Sequence, residues 1–308
     1  VTPFDASTPL VCDGGLATEL EARGHDLTDA LWSARLLLDA PGEIVAAHRA
    51  FFEAGAAVAT TASYQASLDG FARRGLGRAQ FAALLHRSVT LARQAAAEAP
   101  GEGRHRFVAA SVGPYGAALA DGAEYRGRYG LTTRQLRDWH RPRLDILAEA
   151  APDVLALETV PDVDEAEALV EAVAGLGVPA WLTYSIAGEH TRAGQPLTEA
   201  FAVAADSPDV VAIGVNCCAP DDVSGALAHA GAVTDKPLIV YPNSGENWDA
   251  ARRRWWGPSL FTPERARRWF AEGATVVGGC CRVSPADIAG TADISDVNDP
   301  ADIAPGAG

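Results

Sequence analysis

Five cysteines, at positions 12, 217, 218, 280 and 281, are the residues of this sequence best suited to chemistry. An odd number, four of them in two adjacent pairs, is a poor disulfide framework, and a chain of 308 residues needs no such staples. Thiols kept unpaired point to a reducing compartment and to use as ligands or nucleophiles. Soft thiolates select zinc among the common metals. Cys280 and Cys281 are adjacent, and Cys217 lies 63 residues earlier, without the C-x2-C spacing of a zinc knuckle. Three thiolates with one replaceable position describe a catalytic centre rather than a closed structural one. A structural or redox role is the alternative, although a dithiol redox enzyme would use C-x-x-C and a cysteine hydrolase would need a nearby histidine. Cys12 reads as a small core residue, and Cys218 is given no role.

Such a centre needs elements that bring distant cysteines together. Continuous apolar runs recur near 10–13, 56–61, 107–112, 153–158, 179–184, 210–215, 237–241 and 274–278. Unbroken runs are the mark of strands covered by helices on their outer face. Between them lie helical patterns at 41–55, 133–150, 162–176 and 262–273. Pro41 with Glu43, Thr132 or Thr133, and Thr262 before Pro263 are start signals; Gly55, Gly175 and Gly273 are stops. Eight strand–helix units predict an α/β fold, a (β/α)8 TIM barrel, with a doubly wound sheet as the runner-up. Residues 1–308 form a single domain in this reading, with a frayed tail from about 291 to 308. The stretches 113–132 and 242–259 read as loops.

In a barrel, function gathers at the C-terminal strand ends. Those ends carry Asp13, Thr61 and Tyr64, Glu158, Cys217, Asn243, and the Cys280–Cys281 pair. The glycines at 278 and 279 let the backbone come close to the centre. Asp13 and Glu158 are buried carboxylates that either tie down loop backbone or together receive an ammonium group. The latter fits an amino-acid substrate whose other end reaches the metal.

Composition narrows the partners. A net charge of −15 repels phosphate backbones and offers little to a membrane surface, so neither nucleic acid nor membrane is expected. With 48% hydrophobic residues the chain can build a sizeable core. The opening residues VTPFDASTPL have neither a basic start nor an apolar run, and no stretch reaches the length of a membrane span, so a cytoplasmic address is expected.

The segments DGGLATELEARG, DALWSARLL, TTASYQAS, LALETVPDVDEAEAL, VNCCAP, IVYPNSGENWD and VVGGCCRVSPADI resemble the homocysteine S-methyltransferase family, over about residues 8–290. Asn216–Cys217 paired with the late Gly278-Gly279-Cys280-Cys281 is the most specific signal. SVGPYGAALADGAEYRG and YPNSGE resemble the stand-alone branch that uses S-methylmethionine or S-adenosylmethionine, rather than the betaine-using enzymes or the first module of cobalamin-dependent methionine synthase.

The resemblance implies a zinc-dependent enzyme, with homocysteine and a sulfonium methyl donor as its partners and methionine as product. Cys217, Cys280 and Cys281 match the zinc thiolates. Asp13 and Glu158 match the carboxylates that hold the homocysteine amino group. Thr61, Tyr64 and Trp32 fall where the family lines its substrate cavity, and Asn243 is the candidate for a displaceable fourth zinc ligand. A monomer is expected, because the long C-terminal extensions of the betaine-using relatives are missing. Methyl transfer from betaine, a selenocysteine acceptor, and a non-catalytic zinc-binding protein remain open on the same residues. No G-x-G-x-x-G stands between an early strand and a helix, so the donor is not held as in a Rossmann-like methyltransferase. Two features depart from the family: Cys218, and an acidic, proline-containing tail where the family ends in a helix.

Overall fold

Eight short parallel strands form one sheet: β1 (Leu10–Val11), β2 (Val58–Thr60), β3 (Phe107–Val112), β4 (Val154–Val160), β5 (Ala180–Tyr184), β6 (Val210–Asn216), β7 (Leu238–Tyr241) and β8 (Ala274–Val277). A helix follows each: α1 (Pro41–Glu53), α2 (Arg78–Glu98), α3 (Thr133–Glu149), α4 (Val163–Val173), α5 (Leu197–Ala205), α6 (Val223–Gly231), α7 (Pro263–Ala271) and α8 (Pro285–Ser295). The computed structural model describes residues 4, 9–27, 33–101, 103–249 and 254–295. Neighbouring strands pair in sequence around the sheet, and β1 pairs with β8. The ring is completed where Ala57 N donates to Val11 O (2.7 Å) and Asp13 N donates to Val58 O (2.9 Å). A doubly wound sheet would leave two edges; this one leaves none, and the fold is a single-domain TIM barrel.

The continuous apolar runs divide by alternation. Val58, Ala109, Val154, Ala156, Trp181, Ala212, Ile239 and Val276 fill the barrel, while Leu155, Leu157, Ile213 and Val240 pack outward against the helices. Among these Trp181 is the largest; it is completely buried, stacks edge-on against Phe4 at 5.9 Å, and donates its indole N–H to the Tyr241 hydroxyl at 2.9 Å. Alanines at 109, 156 and 212 make the room this ring needs.

Local chemistry explains the helix limits. The Thr132 hydroxyl accepts from Gln135 N (3.3 Å) while Gln135 returns its side-chain oxygen to Thr132 N (2.9 Å), a capping box that starts α3. Thr262 caps α7 in front of Pro263. The three predicted stop glycines hold φ of +98°, +73° and +103° at 55, 175 and 273.

Three expectations are corrected. The stretch 113–132 is not all loop: it holds a helix at Tyr115–Leu119 and a 3-10 turn at Ala123–Tyr125. Within 242–259, Asn247–Asp249 pairs antiparallel with Arg254–Trp256, a short hairpin. The tail does not begin at 291, because α8 runs to Ser295 with Ile288, Thr291 and Ala292 buried. Residues 296–308 lie outside the described residues.

Candidate active site at the barrel mouth

A cavity of about 550 Å³ opens at the C-terminal ends of the strands. Its floor is built from the cysteines. Successive residues on a strand point to opposite faces, yet Cys217 follows directly on β6 with φ of +49°, a left-handed turn that swings its sulfur into the cavity. Cys280 and Cys281 follow Gly278 and Gly279. A Cβ at 278 would stand 2.6 Å from that of Cys12, and one at 279 would stand 2.2 Å from Val283 Cγ1, so only glycine lets this backbone reach the centre.

The sulfurs of Cys217, Cys280 and Cys281 all lie within 4.8 Å of one another, with Cys217 and Cys281 3.9 Å apart. Three thiols so close cannot all ionise without a cation between them. Hydrogen bonds from Cys217 and Cys280 hold Cys281 well below the usual thiol range, while hydrogen bonds with Cys217 and Cys281, helped by burial, push Cys280 well above it. The cluster could hold a metal ion, and an all-sulfur donor set suits zinc.

The other two cysteines are elsewhere. Cys12 is buried in the barrel interior, and Cys218 is completely buried in the layer between barrel and helices. Cys218 is therefore a small apolar filler. Cys218→Ala is expected to keep its bound metal and turnover while losing about 1 kcal/mol of stability, measured by metal analysis and urea unfolding.

Glu158 lies in the cavity wall at the end of β4, accepting a hydrogen bond from the Ser111 hydroxyl. Burial raises its pKa from 4.5 to about 7, with the nearby Cys217 charge acting in the same direction. Asp13 is buried beside the cavity but does not line it. Its Oδ2 accepts from Thr60 N (2.8 Å), and both oxygens lie 3.1 Å from Thr60 Oγ1. These bonds tie the end of β1 to the end of β2.

Thr61 and Tyr64 line the cavity. Thr61 Oγ1 accepts from Ser111 N at 3.0 Å and meets Ser63 Oγ at 2.7 Å, linking the ends of β2 and β3. Asn243 Oδ1 accepts from Cys281 N at 3.1 Å, so the oxygen offered as a fourth ligand holds the cysteine loop in this structure. Trp32 lies outside the described residues. Among the described residues, no histidine lines the cavity.

Other contributors carry no role that the sequence alone assigns. Thr159 sits in the cavity wall with φ of +61°, unusual for a β-branched residue. Asn216 makes it possible: its Oδ1 accepts from Thr159 N (2.7 Å) and its Nδ2 donates to Thr159 Oγ1 (2.8 Å). Asn216→Ala would strand a buried N–H and is expected to cost about 2–3 kcal/mol, read as a lower urea midpoint.

The remaining wall comes from the 3-10 turn. Tyr125 places its hydroxyl 3.8 Å from the Cys217 sulfur, and the Arg192 guanidinium lies 5.6 Å over its ring. The segment is tied down at both ends: Tyr115 N donates to Glu165 (2.6 Å) and Arg128 N to Asp162 (2.9 Å). Only tertiary contact reveals Tyr125, since a tyrosine in a glycine-rich stretch carries no spacing signal.

A closed barrel with three thiols gathered at the C-terminal mouth has the donor set and the position of a site that could hold a metal ion. The homocysteine S-methyltransferase family profile matches residues 10–294. The homocysteine S-methyltransferase of Escherichia coli is 46% identical over 295 residues, covering 93% of this chain and 95% of that protein. The homocysteine S-methyltransferase YbgG of Bacillus subtilis is 40% identical, covering 92% and 94%. Among solved structures, the metallated form of the homocysteine methyltransferase MmuM from Escherichia coli superposes with a TM-score of 0.85 at 44% identity, covering 94% of this chain and 97% of that one. The chain belongs to the homocysteine S-methyltransferase family. Among the described residues, no helix is long and apolar enough to cross a membrane.

Proposed function

We propose that this chain transfers a methyl group from a sulfonium donor, S-methylmethionine or S-adenosylmethionine, to the sulfur of homocysteine, with zinc as its metal. The observation that carries this reading is the convergence of three sulfurs within 4.8 Å at the floor of a cavity whose wall holds Glu158. Cys217, Cys280 and Cys281 would hold the ion, and zinc bound there would stabilise the deprotonated form of a thiol at neutral pH.

The chain's own residues do the rest. Ionised Glu158 accepts from the homocysteine ammonium, fixing one end of the substrate while its sulfur points to the cavity floor. Asp13 acts behind it, holding Thr60 in the wall and adding negative potential. Tyr64 and Tyr125 offer aromatic surface, which suits the sulfonium cation. The reaction then balances without a proton moving at carbon. The homocysteine sulfur gives its electron pair to the methyl carbon, the old S–C bond breaks, and that pair returns to the donor sulfur. S-methylmethionine thereby yields two methionines; S-adenosylmethionine yields methionine and S-adenosylhomocysteine. Opposite charges on thiolate and sulfonium cancel as the bond forms, and a cavity that excludes water favours that loss of charge.

The test is methionine formation from homocysteine with S-methylmethionine, S-adenosylmethionine or betaine, alongside metal analysis of the same sample. Turnover with a sulfonium and about one zinc per chain is the expected result. Turnover with betaine alone, or with none of the three, would overturn the reading.

A further inference from the structure

Among the described residues, the cavity wall carries three carboxylates, Glu21, Glu124 and Glu158. Two have compensation. Glu158 accepts from Ser111, and Glu21 lies in the field of the Arg282 guanidinium. Glu124 differs: its Oε2 is buried with no hydrogen-bond partner. Burial disfavours its charge, its own backbone amide offsets part of that, and the charged groups acting on it, Cys217 and Asp121, both repel it. A half-buried carboxylate with one oxygen shut off from water beside other anionic groups is costly, and a bound cation relieves that cost.

Position makes the cation specific. Glu124 precedes Tyr125, whose hydroxyl is 3.8 Å from the Cys217 sulfur, so this carboxylate belongs to the thiol end of the cavity. The turn presenting it is preformed. Asp121 Oδ1 accepts from Ala123 N (3.0 Å), Tyr125 N donates to Gly122 O (3.1 Å), and Arg126 N donates to Ala123 O (3.0 Å). Glu165 and Asp162 anchor the segment on either side.

We propose that Glu124 is the anionic seat for the sulfonium charge of the methyl donor, an inference that rests on the sulfonium reading above and assigns that charge a residue. Glu158 serves the ammonium of the acceptor; Glu124 serves the extra positive charge that only the donor brings. Methyl transfer converts the sulfonium to a neutral thioether, so the attraction disappears with the reaction and the spent donor is released. Because the contact is made in the ground state, its loss raises KM for the donor more than it lowers kcat.

Calorimetric titration of the zinc-loaded protein tests this. S-methylmethionine, methionine and homocysteine are each titrated into the parent and into Glu124→Gln, a substitution of equal size on a surface turn. The parent is expected to bind S-methylmethionine more tightly than methionine. Glu124→Gln should weaken S-methylmethionine about tenfold, and leave methionine and homocysteine within about twofold, the latter also showing that the site is intact. Unchanged S-methylmethionine binding, an equal loss for methionine, or a parent that does not bind S-methylmethionine would overturn the proposal. Failure of the methyl-transfer reading shows separately, as absence of methionine formation by the parent whatever the binding results.

Discussion

Cys217→Ser is expected to lose bound metal and methyl transfer together. The serine oxygen is a harder and far less acidic donor than the thiol, so one of three ligands is removed in chemical terms. Changing a residue that merely orients a ligand costs about 10–100-fold in metal affinity, and changing a ligand itself should cost more than ~100-fold. The fold should survive, because the residue sits at the mouth and the apolar interior below it, around Trp181, is untouched. Metal analysis, far-UV circular dichroism and the methionine assay on one preparation provide the check. A variant that keeps its zinc, or loses zinc and stays active, contradicts the assignment. Cys218→Ala is the paired control, one residue away and facing the opposite side of the strand layer.

The second large effect is expected at Glu158→Gln. An amide in place of a carboxylate loses a charge-assisted bond to the substrate ammonium, worth about 2–3 kcal/mol, or roughly 30- to 150-fold in kcat/KM for homocysteine. Its pH dependence gives a second reading. Glu158 titrates near 7 because burial disfavours its charge, and only the ionised form attracts the ammonium. For the parent, kcat/KM for homocysteine should therefore fall as pH drops below about 7, and the variant should lack that limb. Stability moves the other way. A carboxyl whose pKa rises from 4.5 unfolded to about 7 folded binds more protons in the native state between those values. Its contribution to stability is thus present at low pH and lost as pH rises through 7. At pH 8 the metal-free Glu158→Gln protein should be at least as stable as the parent, by urea unfolding, while far less active. A less stable variant at pH 8 would show that Glu158 holds the fold rather than the substrate.

The barrel was legible because its strands are unbroken apolar runs. The run expected at 107–112 is β3, and every other predicted strand overlaps its counterpart. Placing function at the strand ends then gathered Cys217, Cys280 and Cys281, residues far apart in the chain, at one mouth. Direction was harder to read. Asp13 was found as a strand-end carboxylate, but whether it faces a ligand or Thr60 depends on side-chain geometry that spacing does not encode. The left-handed backbone of Thr159 is not legible in the sequence because it is imposed from outside, by Asn216 57 residues later. Glycines hid the Tyr115–Leu119 helix and the Tyr125 turn, since glycine-rich sequence reads as loop until tertiary contacts fix it. The hairpin at 247–256 was masked by a charged, tryptophan-rich stretch with no alternation.

The central claim is that the three cysteines form an open metal centre to which the thiol of homocysteine is brought. X-ray absorption at the zinc edge, recorded on the zinc-loaded protein before and after addition of homocysteine, tests it most directly. The expected result is three sulfur neighbours with one lighter atom before addition and four sulfurs afterwards. A shell already complete with protein ligands, and unchanged by homocysteine, would contradict it.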